Sequence, residues 1–188
     1  MKLTFITTNK HKVEEIQAVL KDYGIEIEQA VMDYPEDKEK EMTEIAKESA
    51  KNLAEQLQKP VITEDTGLYF KAYNNFPGAL PKFIFQGIGF AGILKLLEGK
   101  DREACFKTVI GYCEPGNESV IFAGEMQGRI AEKVILPEAD AMPYDHIFIP
   151  DGYEKAIVEM TIDEKNKFSQ RGKAARELGE YLRKKPTL

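Results

Sequence analysis

Cysteine and histidine are scarce in this 188-residue chain, with two of each: Cys105 and Cys113, His11 and His146. Neither histidine has a cysteine at zinc-site spacing, so a thiolate or imidazole metal cluster is not expected. The two cysteines fall in one stretch that reads as a single extended strand. They would lie about 26 Å apart along it, far beyond disulfide reach, and are expected to be reduced and structural. Long apolar runs are missing too. None approaches the roughly 20 residues needed to span a bilayer. The opening Met1–Thr8 is too short for a signal peptide and reads as a first strand, which makes the cytoplasm the default expectation. Excess positive charge is also absent. A net charge of −6 argues against a polymeric nucleic-acid partner. A small anionic ligand stays open, because it needs only a local cluster of cations, often with a divalent metal.

The length suits one domain over residues 1–188, organised as two lobes with a cleft between them. Lys2 to Thr8 reads as a strand feeding a turn. Val13, Ile16, Leu20 and Tyr23 recur at helical spacing, and Gly24 closes that helix. Ile25 to Glu28 alternates like a strand. Met42, Ile45, Ala46, Ser49, Ala50, Leu53, Ala54 and Leu57 form a helical stripe over four turns, with charges on the other face. Pro60 to Thr63 is a short buried-strand signal that stops at Glu64-Asp65-Thr66-Gly67. Phe76 to Pro81 reads as a loop, and Gly87 to Glu98 as a helix. Residues 104–113 and 119–136 read as strands around the turn Glu114-Pro115-Gly116-Asn117. Tyr144 to Ile149 is strand-like again. Thr161 and Glu164 have capping-box spacing, and Ser169 is the N-cap of a last helix from about Gln170 to Lys184. The sum is an α/β fold: a mixed central sheet flanked by helices.

Ligands of such folds favour clefts at the carboxyl ends of strands, and four segments converge there. Thr7-Thr8-Asn9 with Lys12 offers hydroxyls, an amide and an ammonium at a helix start, which suits a polyphosphate. Glu64-Asp65 ends the third strand with carboxylates able to hold Mg²⁺ and orient water. Lys82 follows a Pro-Gly loop. Lys165 and Arg171 add cations close to the N–H groups of a helix start. His146 has no partner at ligand spacing, and the aromatic residues Tyr69, Phe70, Tyr73 and Phe76 read as packing.

In this order, these segments resemble the inosine triphosphate pyrophosphatase family, house-cleaning enzymes for non-standard purine nucleotides. The motifs are Thr7-Thr8-Asn9 through Lys12 to Glu15, Asp65-Thr66-Gly67-Leu68, Phe76-Pro77-Gly78, Met142-Pro143-Tyr144-Asp145 through Phe148, and Val158-Glu159-Met160 through Glu164-Lys165-Asn166 to Ser169-Gln170-Arg171. The resemblance spans nearly the whole chain, and the last motif is the most specific. It implies Mg²⁺-dependent hydrolysis of a nucleoside triphosphate between its α and β phosphates, by a homodimer. Asp65 and Glu36 would hold the metal, and Asp65, or a neighbour such as Glu64, would orient the attacking water. Thr7, Thr8, Asn9, Lys12, Thr66, Lys82, Lys165 and Arg171 would bind substrate, with Met142, Tyr144, Asp145 and Gln170 around the base. Three positions depart from the family pattern. Met142 replaces a stacking Phe, Gln170 replaces a His, and Thr8 replaces a Gly. Base preference is therefore open. The alternatives are a related nucleotide pyrophosphatase, such as the septum-inhibitor type, and a nucleotide-binding protein with weakened catalysis.

Overall fold

Four buried residues in a row, Leu3 to Ile6, seat β1 (Lys2–Ile6) inside the molecule. The computed structural model describes residues 1–32, 40–74 and 76–185; Glu36 lies outside them. Asn9 turns the chain into α1 (Lys10–Leu20), its side-chain oxygen accepting from the N–H groups of His11 and Lys12. That satisfies two of the donors a helix start leaves over. A short 3₁₀ turn ends at Gly24, and β2 (Glu26–Ala30) then lies parallel to β1. The stripe read from sequence forms α2 (Met42–Leu57), burying Ala46, Ala50, Leu53 and Ala54.

Three long strands follow: β3 (Val61–Phe70), β5 (Glu103–Cys113) and β6 (Val120–Ile130), antiparallel in that order. The short β4 (Phe76–Gly78) pairs with the far end of β3, and β7 (Phe148–Pro150) with β6. The sheet runs β2-β1-β3-β5-β6-β7, parallel around β1 and antiparallel beyond, with β4 beside β3. This is the expected mixed sheet.

Several elements differ from the sequence expectation. β3 runs through Glu64-Asp65-Thr66-Gly67 to Phe70, because β5 pairs with it residue by residue over its whole length. The expected loop at Phe76 to Pro81 supplies β4. Helix α3 (Pro81–Leu96) starts earlier than Gly87, since Pro81 sits at a first-turn position where its missing N–H costs nothing. A break at Gly89, φ 58°, divides it, a conformation glycine reaches without strain. Pro143 likewise opens a 3₁₀ turn, Pro143–His146, where a strand was expected.

One face of the long strands carries two apolar cores. Ile62, Ile110, Tyr112 and Phe122 pack with Ile16 and Leu20 of α1 and with Leu178 and Leu182 of α5 (Gln170–Lys184), which follows the short α4 (Ile162–Phe168). Leu68, Phe106 and Met126 pack with Ile93, Tyr144 and Phe148. Between them on that face the alternation places Glu64 on β3 and the cross-strand row Thr66, Thr108, Gly124. This polar band divides the lobes. The other face holds a smaller core of Val61, Ala50 and Leu53 under α2.

The sheet also has a gap. β1 pairs with β3 only at Val61 and Ile62, and β4 only from Leu68 onward. Among the described residues, the edge of β3 from Thr63 to Gly67 therefore has no strand beside it.

Candidate active site

A cavity of about 400 Å³ opens beside that gap, within the range of small-molecule sites. Asn9, Lys12, Thr66, Lys82, Met142, Tyr144, Asp145, Gln170 and Arg171 line it together with Phe85 and Phe106. These residues come from α1, β3, β5, α3, the 3₁₀ turn and α5, so the fold gathers sequence-distant candidates around one space. A smaller hollow of about 200 Å³ shares Met142 and Asp145 with it, but is lined by Glu14, Glu15 and Asp140. That lining suits an anion poorly.

Beneath the cavity lies a buried network of three acids and three bases. Arg171 places Nη1 2.7 Å from Glu15 Oε2 and Nη2 3.1 Å from Glu64 Oε1. Lys165 Nζ stands 2.7 Å from both Glu15 Oε1 and Asp145 Oδ2. Lys12 donates to the Glu64 backbone oxygen at 3.2 Å, and its ammonium is ion-paired with Glu64 Oε2. The Thr66 hydroxyl donates to Glu64 Oε1 at 2.6 Å and takes the Thr108 hydroxyl. Burial pushes the Glu64 carboxyl up, but Arg171 and Lys12 outweigh it and hold it at about 2. Glu15 is also lowered, with Arg171 and Lys165 overcoming its burial. Asp145 is raised, because burial outweighs the attraction of Lys165. The Tyr144 phenol is raised by burial, and it donates to Pro81 O at 2.9 Å.

This geometry revises the sequence picture. Lys165 and Arg171 do not wait at a helix mouth for an anion. Both are buried and matched by carboxylates. The start of α5 is capped by its own Ser169, whose Oγ accepts from Gly172 N–H. Of the four expected phosphate cations, only Lys82 makes no ion pair among the described residues. Glu64 is engaged by Lys12, Arg171 and Thr66, and such a carboxylate is a poor base for water. Asp145 lines the cavity with one oxygen already held by Lys165. Glu15, the last residue of the first motif, was given no role from sequence; in the structure it joins Lys165 to Arg171. Its signal in the sequence was its place at the end of that motif, three residues after Lys12.

The remaining candidates are placed as follows. Thr7 Oγ1 accepts from Asn9 N–H at 3.1 Å, and Thr8 is exposed in the same turn. Met142 brings its sulfur to 3.9 Å from Asn9 Nδ2. Gln170 is buried, and its Oε1 has no hydrogen-bond partner among the described residues. Asp65 follows the alternation to the opposite face of β3, shared with Thr63, whose hydroxyl donates to Ala46 O of α2. Its expected metal partner, Glu36, is outside the described residues. Among those residues no three His, Cys, Asp or Glu side chains are grouped to hold a metal. A half-buried Asp65 at a sheet gap still has the oxygen chemistry of a Mg²⁺ ligand, since Mg²⁺ takes one or two carboxylates and completes its shell with water and phosphate.

His146 is a core residue, its Nδ1 2.9 Å from Ile135 O. Cys105 and Cys113 are both free thiols on β5. No helix among the described residues is long and apolar enough to cross a membrane.

Comparison with known proteins gives a consistent result. A family model described as Ham1 family matches residues 3–181. A dITP/XTP pyrophosphatase of Methanopyrus kandleri is 45% identical over 184 residues, covering 97% of each chain. One from Thermococcus kodakarensis is 40% identical, covering 97% of this chain and 98% of the relative. Among solved structures, a HAM1 protein from Coxiella burnetii superposes with a TM-score of 0.75 at 27% identity, covering 97% of this chain and 98% of that one.

Proposed function

This chain belongs to the Ham1 family, and from that membership we infer that it hydrolyses non-standard purine nucleoside triphosphates such as dITP, ITP and XTP. The products are the monophosphate and pyrophosphate. The observation that carries this reading is the gap that the described residues leave in the sheet along Thr63 to Gly67. A nucleotide lying across that bare edge can reach both faces of β3. On one face it meets the cavity with Lys82, Tyr144 and Gln170, and on the other it meets Asp65.

Asp65 and Glu36 would hold Mg²⁺, which when bound neutralises phosphate charge and polarises the α-phosphate. Asp65 orients the attacking water, because the Glu64 beside it is tied up in ion pairs. Lys82 and Lys12 meet the phosphates, and the Thr7-Thr8-Asn9 turn cradles them at the start of α1. Tyr144, Met142 and Gln170 surround the base. Lys165, Glu15 and Arg171 hold the wall behind them. The cytoplasm, where nucleotide pools are kept, is the site of action that fits this chemistry.

The test is Mg²⁺-dependent pyrophosphate release over a panel of standard and deaminated triphosphates, with Asp65→Asn as the control. Removing a metal ligand or water-orienting group should lower kcat by about 10²-fold or more. No turnover of any triphosphate, or full activity in the Asn variant, would overturn the reading.

A homodimer belongs to the same proposal. Phe76, Leu80, Phe83 and Ile88 are exposed together along β4 and α3, an apolar surface of the kind that marks an interaction site. Light scattering at micromolar concentration should return twice the 21.3 kDa chain mass; a monomer mass counts against it.

A further inference from the structure

Glu64 has two oxygens with different company. Oε1 takes Arg171 Nε at 3.2 Å and the Thr66 hydroxyl at 2.6 Å. Oε2 is buried, and among the described residues its one partner is the Lys12 ammonium. The carboxylate is fully buried, whereas the Lys12 side chain keeps 20% of its exposure and lines the cavity. An anion entering the cavity therefore meets a lysine whose charge is already matched from below. To bind Lys12 fully, it must draw the ammonium off an oxygen that has nothing else to hold, and leaving a buried charged group unpaired is costly.

We propose that Glu64 is a positioning residue that competes with polyphosphate for Lys12, and so keeps the cleft's grip on pyrophosphate loose enough for release. The identity of the polyphosphate rests on the nucleotide pyrophosphatase reading above. Arg171 sets the strength of the competition. It anchors Oε1 from the α5 side, so the carboxylate cannot follow Lys12 into the cavity. Turnover then ends with Lys12 returning to Oε2 as the product leaves.

The sign of the effect separates this from a structural role. Loss of a residue that merely holds the site in shape weakens ligand binding. Removing a competitor strengthens it. In Glu64→Gln, which keeps the shape and removes the charge, inorganic pyrophosphate should bind about tenfold more tightly by calorimetry. KM for the triphosphate should fall, and kcat should fall with it as release slows. Glu64→Asp, which keeps the charge but draws the carboxylate back by one methylene, should tighten pyrophosphate binding less than the Gln variant does. Unchanged or weaker pyrophosphate binding in the Gln variant overturns the proposal.

If Glu64→Gln does not fold, the original protein decides the matter. With ¹³C-labelled glutamate, saturating pyrophosphate should shift the Glu64 side-chain carboxyl resonance, and Lys12→Met should abolish that response. A resonance that stays fixed overturns the idea. Calorimetry with pyrophosphate needs no turnover. A protein that binds it as described but hydrolyses no triphosphate would refute the enzymatic reading, and with it the role in release, and leave the competition between Glu64 and polyphosphate for Lys12 standing.

Discussion

Gln170 brings to the wall of the cavity a buried carbonyl oxygen with no hydrogen-bond partner among the described residues, and Met142 brings a flexible thioether in place of an aromatic ring. An amide can donate or accept according to which way it is turned, so it accommodates either a six-position carbonyl or an exocyclic amine. A ring stacked on a base contributes roughly 1–3 kcal/mol, and methionine gives softer, less directional contact. Discrimination between deaminated and standard purines should therefore be weak. Met142→Phe with Gln170→His should raise the inosine-over-adenosine ratio of kcat/KM. If the unaltered protein already rejects ATP by about 100-fold, roughly 2.7 kcal/mol, this account of the pocket fails. The identities of these residues were legible in the sequence, as were those of Lys12, Lys165 and Arg171. Their pairing was not. Glu15 and Arg171 are 156 residues apart, and Glu64 and Arg171 are 107 apart. Only the docking of α1, β3 and α5 makes them neighbours, and no local pattern encodes which carboxylate a cation finds.

Helix α5 reaches the site because β6 has no side chain where the helix begins. A Cβ on Gly124 would stand 2.1 Å from Gln170 O. The first turn of α5, which carries Gln170 and Arg171, thus rests directly on the strand. Gly124→Ala must push that turn outward, and overpacking of this kind costs about 1–3 kcal/mol. We expect a lower denaturant midpoint and a fall in kcat/KM, because Arg171 would leave Glu15 and Glu64. An alanine variant with unchanged midpoint and activity would show that the contact is not limiting. Helices with a one-sided stripe, α1, α2 and α5, were readable from sequence. Helix α3 was harder, because Phe83, Ile84, Phe85, Ile88 and Phe90 put apolar residues on every side and erase the period. β3 looked shorter than it is for the opposite reason: its polar centre, Glu64 to Thr66, is the site itself. Functional chemistry interrupts the pattern that announces a strand.

Taken as a whole, the molecule sets two apolar cores on one face of a continuous set of strands, with a charge network between them, and a smaller core on the other face. The mixed sheet followed from the alternation of elements, whereas the division into lobes depends on register, which the sequence alone leaves open. The network makes stability depend on acid. Glu64 is held at about 2 against an ordinary 4.5, so the folded state binds its proton less readily than the unfolded chain. The resulting stabilisation, roughly 3 kcal/mol, is fully present above about pH 5 and is lost as pH falls through 2. Asp145, raised by burial, acts in the opposite sense near the ordinary aspartate range. Urea unfolding at pH 7 and pH 3 should differ by about 2 kcal/mol on account of Glu64; equal values would mean the ion pairs do not hold it. The bare edge along Thr63 to Gly67 has one more consequence, for how separate molecules meet. An unpaired strand edge is a template for another chain, and lysine at such an edge is a natural guard against it. Lys12, bonded to the outward-facing Glu64 carbonyl, occupies that place. Lys12→Met should therefore aggregate on gentle heating, seen as rising light scattering, while Lys82→Met, which guards no edge, should stay clear. Equal turbidity in the two would deny Lys12 this second duty, of keeping an edge left open for a nucleotide from being taken by a neighbouring protein.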